Sequence, residues 1–135
     1  SVSAFLLNRS SDLSFFATKF RKRMKIYFKN KKLEKLCNNP AKLVKAMGSE
    51  RAEKIQLRLN DLDSTLTLED TRHLPGHYHE LVGDRKGQWG CDLDQPYRLV
   101  FEPTEKPIPT DENGKYIWSA ITIIDIIEIT NYHGK

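Results

Sequence analysis

Three groups in the C-terminal half of this chain could do acid–base chemistry on a phosphate. His79 precedes the glycine-bounded basic turn Gly83-Asp84-Arg85-Lys86-Gly87. Arg98 stands inside Pro96-Tyr97-Arg98-Leu99-Val100-Phe101. Tyr132-His133 close the last apolar run. Together they form an inventory for cutting an RNA phosphodiester without a metal. RNA cleaves itself once its 2′-hydroxyl is deprotonated and aligned with the adjacent phosphorus. A protein must then supply a base, a cation for the phosphorane charge and an acid for the leaving 5′-oxygen. Histidine serves either proton-transfer role near neutral pH. Arginine suits phosphate oxygens because its planar fork donates paired hydrogen bonds.

Each residue also has an ordinary structural use. His79 could be a hydrogen-bonded strand histidine, and His77 is its rival because alternate residues of a strand share a face. His73, before Leu74-Pro75, reads as a loop residue. An arginine in an apolar strand needs a counter-charge or a phosphate, and Asp92 and Asp125 are the candidate partners of Arg98. Arg85 and Lys86 could simply be solvated, although a glycine-flanked turn can also hold phosphate through its backbone N–H groups. Tyr132 and His133 could be a frayed end. In a regular strand they would point to opposite faces, so a twist is needed to bring both to one cleft. No HExxH, P-loop or GxGxxG pattern occurs, and no metal or cofactor is implied.

The elements that must position these groups can be read from periodicity. Lys31–Leu36 and Ala41–Met47 are short helical stretches, separated by the breaker Asn38-Asn39-Pro40. Ser49 reads as an N-cap for the clearest helix, 50–63, whose stripe is Ala52, Ile55, Leu59 and Leu62. Arg51, Lys54 and Arg58 flank that stripe. They are either a solvated face or an edge that tracks a phosphate backbone. Thr67–Asp70 adds one helical turn, and Leu74-Pro75-Gly76 ends the helical half. Tyr78–Val82, Trp89–Leu93 and Tyr97–Glu102 then read as antiparallel strands, with a surface loop over Pro103–Gly114. Ile117–Thr130 reads as a long, buried strand whose alternation changes phase around Ile124-Asp125-Ile126, which predicts a bulge. The sum is α+β: N-terminal helices packed on a small, twisted antiparallel sheet.

At 135 residues the chain fits one domain. No apolar run approaches the length of a membrane span. Cys37 and Cys91 have no metal spacing and read as reduced thiols of a cytoplasmic protein. Residues 1–66 carry 15 basic and 6 acidic side chains, whereas 67–135 carry 7 and 12. That split places a basic face in the N-terminal part. Residues 24–135 are nonetheless balanced at 17 and 17, so local clustering must carry any argument for a polyanion partner. Residues 1–23 differ in character from the rest of the chain. Their charge lies after the apolar part, unlike a signal peptide, and Met24 opens a strand-like Lys25-Ile26-Tyr27-Phe28. We expect 1–23 to be a leader or extra arm and 24–135 the domain.

The block His79-Glu80-Leu81-Val82-Gly83-Asp84-Arg85-Lys86-Gly87-Gln88-Trp89, the downstream Arg98 and Phe101, and the ending Tyr132-His133 resemble the RelE/ParE superfamily of toxin–antitoxin toxins, closest to its HigB branch. The likeness covers Met24 to His133 and also takes in Lys31–Leu36 and Arg51–Leu62. It implies a RelE-like, microbial-ribonuclease-like fold and cleavage of mRNA in the ribosomal 30S A site. It also implies neutralisation by a HigA-type antitoxin. Residue by residue, it implies that His79 is an acid–base group, Arg98 a phosphate stabiliser, and Tyr132 and His133 an acid or substrate-positioning pair. Many members have lysine at the position of Val82 and aspartate at that of Asn131, which points to a weakened homologue as one alternative. A ParE-like toxin that binds gyrase without catalysis is the other. His79 and the Tyr132-His133 ending have no assigned task in such a binder.

Overall fold

The computed structural model describes residues 23–131. Tyr132, His133 and residues 1–22 of the expected leader lie outside the described residues. Strand β1 (Lys25–Phe28) is followed by helices α1 (Lys31–Cys37), α2 (Pro40–Met47) and α3 (Ser49–Asp63), then a 3-10 turn at Leu68–His73. Strands β2 (His79–Glu80), β3 (Trp89–Asp92), β4 (Tyr97–Pro103) and β5 (Ile123–Asn131) complete the chain.

Local chemistry sets these boundaries. Asn30 and Asn39 accept from the backbone N–H groups of Leu33 and Lys42 and so cap α1 and α2. Gly48, at φ 87°, makes the sharp passage from α2 to α3 and takes the N-cap position expected of Ser49. Asp70 accepts from Thr67 N–H at 3.3 Å and anchors the adjoining turn.

The sheet has five strands in the order β1-β5-β4-β3-β2. It is mixed, not wholly antiparallel as expected. β1 runs parallel to β5, with Lys25 opposite Ile123 and Phe28 opposite Ile126. The reason is topological: three helices lie between β1 and the rest, and such a crossover permits a parallel neighbour. Two strands are also shorter than their sequences suggest. β2 keeps only His79 and Glu80, although Leu81 N–H still donates to Gln88 O at 2.8 Å. The apolar stretch from Ile117 begins with a 3-10 turn at Trp118–Ala120 before β5 starts. The expected irregularity in β5 exists, slightly further on: Val100 faces Glu128 and Phe101 faces Ile126, so Ile127 is the extra residue.

The helices cover one face of the sheet. Ala52, Ile55, Leu59 and Leu62 of α3 form the core with Trp89, Cys91, Leu99, Phe101, Ile124 and Ile126. The alternate residues, among them Asp92, Arg98, Glu102, Asp125, Glu128 and Thr130, belong to the opposite, open face. Among the described residues no helix is long and apolar enough to cross a membrane.

On the open face Glu102 is the most buried carboxylate. Burial pushes it upward, but hydrogen bonds and charge from Lys29 and Lys106 outweigh that and hold it below its ordinary value of 4.5. Two outcomes are expected. Leu59→Ala should cost about 2–5 kcal/mol in urea unfolding, because Leu59 is fully buried in the core. Because the folded-state value of Glu102 is depressed, its contribution is present above pH 4.5 and lost as pH falls through the folded value. Unfolding of wild type and Glu102→Gln across pH should therefore show a gap that closes on acidification.

Candidate functional site

Alternation along β2 and β4 brings the candidate groups to the open face. Tyr97 and Leu99 point to the helices, so Arg98 points away from them. His79 and Arg98 line one groove of about 470 Å3, together with Glu80, Leu81, Val82, Asp84 and Arg85. Leu81, one of the lining residues, packs against Gly90. A methyl group at Gly90 would stand 3.2 Å from Leu81 Cδ2.

Three sets of polar contacts define the site. First, Asp92 and Arg98 are cross-strand partners, and Arg98 Nε donates to Asp92 Oδ1 at 3.2 Å. Of the two candidate counter-charges, the structure selects Asp92, while Asp125 lies opposite Glu102. Second, Arg85 donates to Gln88 Oε1 at 2.8 Å and to Glu128 of β5, tying the glycine-bounded turn to the sheet. Third, His79 Nδ1 lies 2.8 Å from His77 O. A carbonyl only accepts, so the proton of the neutral ring resides on Nδ1 and the lone pair on Nε2. In that tautomer the ring presents its acceptor nitrogen, Nε2, as a general base must.

His77 and His79 do share a face. Their rings stack at 4.2 Å with 15° between planes, and His77 Nδ1 stands 3.8 Å from Asp92 Oδ2. His73 is exposed in the preceding turn. Lys86 is exposed beside the groove and is not among the groove-lining residues.

The structure does not bring Arg51, Lys54 and Arg58 to this groove. Arg51 pairs with Asp94 at 3.1 Å and stacks on the Tyr97 ring at 3.6 Å; the hydrogen bond to Asp94 holds its proton more tightly than usual. Lys54 is half-buried on α3. Arg58 is only 6% exposed and donates to backbone carbonyls. Burial pushes the free thiols of Cys37 and Cys91 up to about 12, so neither offers a thiolate near neutral pH.

Sequence reasoning misses Glu128 as the partner of Arg85. It sits in an isoleucine-rich strand that holds two acids, Asp125 and Glu128, and an acid among apolar residues is the available signal. It also misses the role of the His77 carbonyl, which no side-chain pattern reveals.

No protein-family model matches the sequence, and a search of curated proteins returns no match.

The groove thus offers a ring nitrogen acceptor, two guanidinium groups and an apolar lip at Val82, which is 83% exposed. Titration with a short 2′-O-methyl oligoribonucleotide should shift the NMR signals of His79, Arg85 and Arg98 while leaving those of Lys54 in place. Shifts confined to α3 would move the site to the other side of the molecule.

Proposed function

We propose that the open-face groove is an RNA-cleaving site and that the protein is a translation-inhibiting endoribonuclease toxin of a toxin–antitoxin pair. The observation that carries this reading is the shared groove of His79, with its acceptor nitrogen at Nε2, and Arg98. In the proposed step His79 Nε2 takes the proton of a ribose 2′-hydroxyl. The 2′-oxygen attacks the adjacent phosphorus, and the bond from phosphorus to the 5′-oxygen breaks. The 5′-oxygen leaves with a proton, giving a 2′,3′-cyclic phosphate and a 5′-hydroxyl. Arg98, held by Asp92, and Arg85, held by Glu128, meet the phosphorane charge as fixed donors. By the family resemblance, Tyr132 or His133, which directly follow the end of β5, supplies the proton to the leaving oxygen.

The ribosome as the place of action and a HigA-type antitoxin as partner rest on that resemblance. The chemistry agrees with the first. A sparse catalytic set suffices if the ribosome aligns the message, because orientation alone can supply a large share of the acceleration. A cytoplasmic location follows from the same reading.

Val82 favours a weakened enzyme as the second reading. Its side chain stands at the groove where many members of the resembled family carry a lysine. Since it is exposed, Val82→Lys should leave stability within about 0.5 kcal/mol while raising the cleavage rate several-fold.

The decisive test maps mRNA 5′ ends in a translating extract. We expect new in-frame ends that require ribosomes, with a loss of about 100-fold or more in His79→Ala and in Arg98→Ala. Intact message alongside inhibition of gyrase supercoiling would replace the nuclease with a ParE-like binder.

A further inference from the structure

Arg58 is an unusual residue to find in the core of this protein. It is 6% exposed, on the helix-facing side of the sheet, and its described hydrogen bonds go to backbone carbonyls. Burying a guanidinium without a carboxylate partner is costly, and an apolar side chain of similar volume would ordinarily be as stable or more so. Its contacts show what the charge accomplishes. Nε donates to Asp92 O at 2.7 Å, and Nη1 reaches Pro75 O at 3.5 Å. Asp92 N–H in turn donates to Gly76 O at 2.7 Å. The guanidinium therefore closes a ring joining the end of β3 to the Pro75-Gly76-His77 turn.

That turn has the backbone of a constrained segment. Gly76 lies at φ 118° and His77 at φ 53°, in the left-handed region that favours glycine. A methyl group at Gly76 would stand 2.8 Å from Arg58 Nε and 2.9 Å from Arg58 Cζ, so the turn rests directly on the guanidinium. From it emerges the His77 carbonyl, which accepts from His79 Nδ1 at 2.8 Å. On the other side of β3, the same Asp92 whose carbonyl Arg58 holds presents its carboxylate to Arg98 at 3.2 Å.

We propose that Arg58 is a positioning residue for the groove. From the opposite side of the sheet it locks the Pro75–His77 turn, so that the His77 carbonyl fixes the tautomer of His79, and it anchors Asp92, so that its carboxylate orients Arg98. The effect on rate rests on the RNA-cleaving reading, whereas the effect on His79 does not.

The test is 15N NMR of imidazole-labelled protein, read beside thermal unfolding and ribosome-dependent cleavage. In wild type His79 should be the Nδ1–H tautomer. Arg58→Met should still unfold cooperatively, but His79 should become a mixture of tautomers, and cleavage should fall about tenfold or more, the scale of a misaligned reacting group. Arg58→Lys, which can still donate to Asp92 O, should restore part of both. Gly76→Ala keeps Arg58 and pushes on it from the turn, so it should shift the tautomer in the same direction. An unchanged tautomer in both Arg58→Met and Gly76→Ala would overturn the proposal, as would a shifted tautomer in Arg58→Met with cleavage still at the wild-type rate. If Arg58→Met fails to unfold cooperatively, Gly76→Ala decides alone. A protein with the expected tautomers that cuts no message would overturn the nuclease reading and leave the effect on His79 standing.

Discussion

The last residue of β3 ties the site together. Asp92 donates its backbone N–H to Gly76, its carbonyl accepts from Arg58, and its carboxylate holds Arg98. A residue at a strand end has main-chain groups that the ladder no longer consumes, and here they bind the preceding turn and the core. The distance between the turn that presents His79 and the strand that presents Arg98 is thereby set by one residue. Fixing two groups through a shared backbone restricts their relative motion more than two independent side-chain contacts would. That kind of preorganisation matters for the proposed reaction, which has few groups to rely on.

The open face carries this arrangement because the other face is occupied. α3 fills the helix side with Ile55, Leu59 and Leu62, and the strand alternation then exports every second residue to the opposite side. On that side charge is organised in pairs. Arg98 meets Asp92, Arg85 meets Glu128, and Lys29 and Lys106 meet Glu102. The groove is consequently not a uniformly basic channel. Its guanidinium groups are oriented by carboxylates, which suits recognition of one phosphate better than adhesion to a long backbone.

How much of this is legible in the sequence depends on the range of each interaction. Helices α1 to α3 are readable because caps, breakers and an apolar stripe are local signals. The bulge in β5 shows in the phase change of its isoleucines, within a residue or two. The parallel placement of β1 does not show, because a pairing partner about a hundred positions away leaves no trace in either strand. His79 and Arg98 are identifiable as candidates because a histidine and an arginine in strands ask for a reason. Asp92 is one of two acids within reach of Arg98 on residue chemistry, and register alone separates it from Asp125. Arg58 reads in the sequence as the flank of a helix stripe. Its burial depends on the Pro75–His77 turn folding over it, a tertiary fact that helical periodicity does not contain.

The central claim is that the groove promotes attack by a ribose 2′-oxygen, with His79 as base and Arg98 as phosphate partner. It is tested most directly with a message bearing a single 2′-deoxy substitution on the 5′ side of the cut. The account predicts that this one change abolishes cleavage there, and that the all-ribose message yields 2′,3′-cyclic phosphate and 5′-hydroxyl ends. Undiminished cleavage of the substituted message, or products with 3′-hydroxyl and 5′-phosphate ends, would contradict it.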